Sequence, residues 1–111
     1  MGMLVIANQH AGPLPLKFSF SAPSDGPSTL IVTGSVWTSQ ASQLIGIEVL
    51  LDGTPVGTAL VFSNLSGTHR AVVPTYIPMK LTFGQHTVTL TTSNANTVSD
   101  LNDYYSVVLG F

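Results

Sequence analysis

Apolar and polar residues alternate along this chain in blocks of six to ten, and no block keeps a helical spacing with caps at its ends. The blocks are rich in β-branched residues and are cut by Gly, Pro, Asn and Asp, so each reads as a strand. Met3–Asn8 is the first. Leu16–Ser21 is the second, entered through Pro13 and Pro15, which belong at an edge or lead-in. After the turn at Pro23-Ser24-Asp25-Gly26-Pro27, the run Thr29–Thr38 sets Leu30, Val32, Gly34 and Val36 against Ile31, Thr33, Ser35 and Trp37. The first set suits a core. Trp37 belongs at the rim, where its N–H finds a partner.

The clearest local element is a hairpin. Leu44–Leu51 aligns Ile45, Ile47, Val49 and Leu51, Asp52-Gly53 makes a tight turn, and Val56–Ser63 returns. Counting straight back from the turn puts Val56, Thr58, Leu60 and Phe62 on one face and Gly57, Ala59 and Val61 on the other. Thr68–Ile77 is a strand demoted at Pro74 to an edge or bulge. Gln85–Thr92 sets His86, Val88 and Leu90 opposite Thr87, Thr89 and Thr91, and Tyr104–Phe111 closes the chain. The expected core is Ile45, Ile47, Val49, Leu60, Phe62, Val88 and Leu90. The expected fold is all-β: residues 1–111 as one two-sheet antiparallel β-sandwich of eight or nine strands, in jelly-roll or immunoglobulin-like order.

Composition changes the picture in one respect. Three Lys/Arg and five Asp/Glu in 111 residues make 7% charged, where a quarter is ordinary. Thr and Ser therefore do most of the work of keeping the sheets wet, and little like-charge repulsion opposes contact with another surface. Lys17, Arg70 and Lys80 form no basic cluster, which argues against nucleic acid. The chain has no cysteine, hence neither disulfide nor thiolate metal site. The apolar run Met3–Ala7 is too short for a signal-peptide core or a membrane span, so neither Sec-type export nor membrane insertion is expected; the compartment stays open.

The stretches VLLDGTPVGTALVF and LTFGQHTVTL resemble the bacterial immunoglobulin-like repeat of surface proteins. The tail TTSNANTVSDLNDYYSVVLGF and the lead-in strands are more similar to a jelly roll of the tumour-necrosis-factor and complement-head type. Both resemblances imply recognition or scaffolding without catalysis. The second implies trimers that pack the closing strands at their centre.

Ser93–Asp103 is the longest polar segment, and its Asn94, Asn96, Asp100, Asn102 and Asp103, leading into Tyr104, form the candidate ligand-binding loop. Asp100-Leu101-Asn102-Asp103 resembles the calcium loop of some bacterial sugar-binding lectins. Those gather four or more carboxylates, whereas only Asp25, Glu48 and Asp52 remain here, and Asp52 belongs to the hairpin turn. The same Asp and Asn residues also serve as turn formers. No pair among His10, His69 and His86 has metal-ligand spacing, and no G-x-S-x-G elbow is present. The expectation is therefore no metal, no cofactor and no enzyme. Two functions compete: a self-associating interaction module (trimer or dimer) displaying loops for a protein or glycan partner, and a carbohydrate-binding lectin using the 93–103 loop with or without calcium, for which Asp100 and Asp103 would be the carboxylates.

Overall fold

The computed structural model describes residues 2–111. It contains nine strands and, among the described residues, no helix: β1 Met3–Ala11, β2 Leu16–Ala22, β3 Gly26–Val36, β4 Gln43–Leu51, β5 Thr54–Ser63, β6 Arg70–Ala71, β7 Thr75–Leu81, β8 Gly84–Thr92 and β9 Tyr104–Gly110. Sheet I runs β1-β9-β3-β7, and the short β6 continues the pairing of β3 past the end of β7. Sheet II runs β2-β8-β4-β5. First strand pairs with last, second with next to last, and every pairing is antiparallel. That is jelly-roll winding, not the immunoglobulin-like order.

Alternation explains the core. On β3 the inward set Leu30, Val32 and Val36 has no exposed surface, and the same holds for Ile45, Ile47 and Val49 of β4, Val88 and Leu90 of β8, and Tyr105, Val107 and Leu109 of β9. These four strands have neighbours on both sides, so their inner faces form the sealed middle of the sandwich.

β5 corrects the expectation for Leu60 and Phe62. Both point outward, 37% and 52% exposed, while Ala59 is buried. Asp52 and Gly53 take φ of 50° and 84°, the left-handed pair of a tight hairpin. Leu50 faces Pro55, but Val49 faces Gly57, so Val56 is an extra residue, a β-bulge. One extra residue reverses the parity of everything after it. Ile45, Ile47 and Val49 consequently share their face with Val61, Ala59 and Gly57. Gly57 gives Ile77 room there, since a Cβ would stand 2.8 Å from Ile77 Cδ1 and force that side chain to shift.

Two further expectations are revised. Thr68–Ile77 is not one strand: the chain breaks at Val72–Pro74, and β7 runs on to Leu81 along the sheet edge, where Pro78 costs no internal hydrogen bond. Trp37 pairs its backbone with Val98 (2.9 and 2.8 Å), but its indole N–H is buried without a partner.

Candidate functional site

The outward face of sheet I carries the features that bear on function. Register places Val5, Val108, Ile31 and Tyr76 in one row across four strands, and Met3, Gly110, Thr29 and Pro78 in the next. Partners in a row share a face, so both rows lie on the outside. Met3, Val5 and Tyr76 are 60–66% exposed, and Phe111 stands beside them. Gly110 leaves the second row without a side chain. The result is a hollow of ≈ 520 Å³ over Thr29 and Gly110, walled by Met3, Ile31, Tyr76 and Phe111 and lined by no charged residue. Its volume falls in the range of small-molecule sites. Phe111 is fixed by backbone hydrogen bonds with Gly2 in both directions (2.6 and 2.9 Å).

The 93–103 loop lies at the opposite end of the sandwich, and the structure divides its residues. Asn94 donates from Nδ2 to the Leu44 carbonyl (2.8 Å) and accepts at Oδ1 from Thr97 Oγ1 (2.9 Å) and Asn96 N (3.1 Å). Asn96 donates to Gln43 Oε1 (2.9 Å). These two asparagines tie the loop to the start of β4. Asp100 Oδ1 accepts from Asn102 N (2.8 Å), a local turn. Asn102 and Tyr104 are exposed. The structure therefore engages Asn94, Asn96 and Asp103 in holding the loop and leaves Asn102 and Tyr104 exposed.

Asp103 is fully buried and fully engaged. Its Oδ1 accepts the Ser35 hydroxyl (2.6 Å) and His69 Nδ1–H (2.7 Å), and its Oδ2 accepts the Asp100 N–H (2.9 Å). His69 is brought to it from the segment just before β6. Trp37 lies alongside, its ring centroid 5.8 Å from that of His69. The hydrogen bond to Asp103 raises the His69 pKa, against a smaller opposing effect of burial. Tyr105 sends its hydroxyl into the same region. Burial chiefly, with the charges of Asp103 and Asp100 added, holds the phenol protonated. The neighbouring Ser99 hydroxyl accepts Leu14 N–H (2.8 Å), and the phenol oxygen has no partner of bonding geometry. Only a spatial arrangement spanning residues 34 apart shows this cluster; no local motif signals it.

No protein-family model matches the chain, and no curated protein is similar to it in sequence. Solved structures do share its fold. PorU from Porphyromonas gingivalis, in its dimeric latent form, superposes at TM-score 0.58 with 10% identity over 97% of this chain. The chain spans 12% of PorU. A family 35 carbohydrate-binding module from Clostridium thermocellum gives TM-score 0.52 and 13% identity, over 96% of this chain and 86% of the module. The CBM36-1 domain of a multidomain xylanase from the hindgut metagenome of Trinervitermes trinervoides gives 0.50 and 13%, over 99% and 96%.

Proposed function

We propose that this chain is a non-catalytic carbohydrate-binding module whose working surface is the outer face of sheet I. The observation that carries the reading is the uncharged hollow between Tyr76 and Phe111. Sugar rings present apolar C–H faces that pack on aromatic side chains, and exposed Tyr combines a flat apolar body with a polar tip. Thr29 and the Tyr76 hydroxyl add hydrogen-bonding groups to the lining. Whole-chain likeness to domains named as carbohydrate-binding modules supports the class. This moves the binding surface from the 93–103 loop to the sheet.

The same face supports a second reading. The row Val5–Val108–Ile31–Tyr76 is the apolar patch through which two copies would associate, and a dimer would cover the hollow. One pair of measurements separates the readings. Electrophoresis through gels containing xylan, mannan, mixed-linkage β-glucan or starch should retard the protein in at least one, with sedimentation velocity giving a species near 11.7 kDa. Free migration in every gel together with a dimer or trimer at micromolar concentration overturns the sugar reading in favour of self-association.

A further inference from the structure

Gly110 is a glycine that the fold does not ask for. Of the chain's ten glycines, four take positive φ, where a side chain would strain the backbone. Five others have a neighbouring atom within 3.0 Å of the place a Cβ would occupy. Gly110 has neither reason. Its φ lies outside the left-handed region, and β9 runs there in unbroken register with β1 and β3. Among the described residues a Cβ would meet only the Thr29 carbonyl oxygen, at an ordinary 3.8 Å. Glycine inside a strand weakens it, and where no bulge or tight bend calls for one it marks a place where a ligand comes close to the main chain.

The surroundings say what kind of group arrives. Gly110 is the floor of the hollow, and its neighbours across the row are Met3 on β1 and Thr29 on β3. Phe111 closes the end, its ring lying where a Cβ on Gly2 would otherwise stand. Two strand spacings separate the flanking backbones by about 10 Å, which the Met3 and Thr29 side chains narrow to the width of a small branch. Met3, Ile31 and Phe111 make the walls apolar, and Thr29 supplies the one hydroxyl at the floor. Lys80, the one cation on β7, pairs with Pro27 a row further on and is not part of the lining.

We propose that Gly110 is the specificity-determining position of this face and that its ligand is an acetylated sugar, whose acetyl group, on nitrogen or on oxygen, enters over Gly110 while the ring lies against Tyr76. The methyl meets Met3, Ile31 and Phe111, and the Thr29 hydroxyl can donate to the acetyl carbonyl oxygen. A bare pyranose carries hydroxyls around its rim, and one pressed onto that floor would leave water with only Thr29 to receive it. A carboxylate would lose its water and find no cation there. The inference rests on the sugar reading and adds to it the branch that the floor receives.

Calorimetric titration of the full chain with matched pairs decides it. One pair is tri-N-acetylchitotriose and cellotriose, which differ in carrying an acetamido group or a hydroxyl. The other is acetylated xylo-oligosaccharides before and after mild alkali. Expected is an affinity about tenfold or more higher for the acetylated member of at least one pair, as for other small groups that fill an apolar pocket. The pair that responds identifies nitrogen or oxygen as the linkage. Gly110→Val, which fills the floor with a β-branched side chain, should abolish the preference while its melting temperature stands at or above that of the unaltered chain. Gly110→Ala, whose Cβ has only the 3.8 Å contact, should reduce the preference in the same direction and serves if the larger side chain disturbs folding. Equal affinity within both pairs overturns the inference and leaves the sugar reading standing. Binding to none of the four overturns the inference, and free migration in every polysaccharide gel overturns the sugar reading with it. A preference that survives in folded Gly110→Val removes the assignment to Gly110.

Discussion

The two outer faces of this sandwich are built on the same pleat but finished differently. Sheet II presents Lys17, Ser19 and Ser21 of β2, Thr87, Thr89 and Thr91 of β8, and Glu48 and Thr58 beyond them, in rows such as Ser19–Thr87 and Thr91–Glu48–Thr58. Sheet I presents Val5–Val108–Ile31–Tyr76 and the hollow beside it. Threonine has the β-branched shape a strand favours and a hydroxyl for water, so a chain with so few charges can still keep one face wet. The other face keeps an apolar row and the hollow beside it, with the polar pair Thr33–Ser106 toward its far end. Apolar exceptions on sheet II are Leu50, beside Thr89, and a corner made by Leu44, Leu60 and Phe62, where the Leu60 side chain lies over Gly46. The lesson is that low charge does not make a uniformly sticky surface; hydroxyl placement decides which face is available.

The largest expected effect is common to both faces and so calibrates the rest. Leu90→Ala, from the sealed middle, should cost about 2–5 kcal/mol in urea unfolding through transfer and cavity terms. Leu60→Ala should cost much less, about 1 kcal/mol or under, because the bulge at Val56 leaves Leu60 partly in water. Equal losses in the two variants would mean that β5 pairs without the bulge.

A difference between the faces is expected next. Tyr76→Ala should reduce sugar affinity tenfold or more while changing stability by no more than about 0.5 kcal/mol, as for other exposed positions. Loss of folding in Tyr76→Ala would assign the ring to packing.

The smallest effect is electrostatic and touches neither face. His86 donates from Nδ1 to Asp52 Oδ2 (2.6 Å), its Nε2 lies 2.7 Å from the Thr82 carbonyl, and Asp52 Oδ1 accepts Thr87 N–H (2.8 Å). This latches the β4–β5 turn onto β8. The Asp52 hydrogen bond raises the His86 pKa, and the same bond lowers that of Asp52. A raised histidine stabilises fully below its unfolded value near 6.5 and loses that contribution as pH rises through the folded value. A lowered carboxyl stabilises above its unfolded value near 3.9 and loses it as pH falls through the folded one. The melting temperature should therefore be highest between about pH 4 and 6.5 and decline toward pH 8. His86→Gln should flatten that decline; an unchanged profile would mean the latch does not form.

Much of the fold is legible in the alternation of β3, β4, β8 and β9, because each strand with a buried inner face repeats at period two. The β5 face is not legible. A bulge of one residue is invisible to pattern counting, and both of its faces are apolar enough to serve as core. The candidate loop was legible as a polar segment and not as a site. Asn94 and Asn96 bond to β4, and Asp103 is buried under Ser35 and His69, partners 68 and 34 residues away. The hollow could not be read either, since it needs Met3, Thr29, Tyr76 and Gly110 to meet across four strands.

The central claim is that the outer face of sheet I, and not that of sheet II, is the working surface. Comparing Tyr76→Ala with Thr89→Ala in the polysaccharide gel that retards the unaltered protein tests it most directly. Both positions sit on outward faces, and neither belongs to the buried core. The account predicts that Tyr76→Ala runs freely while Thr89→Ala stays retarded; retention in Tyr76→Ala, or release in Thr89→Ala, would contradict it.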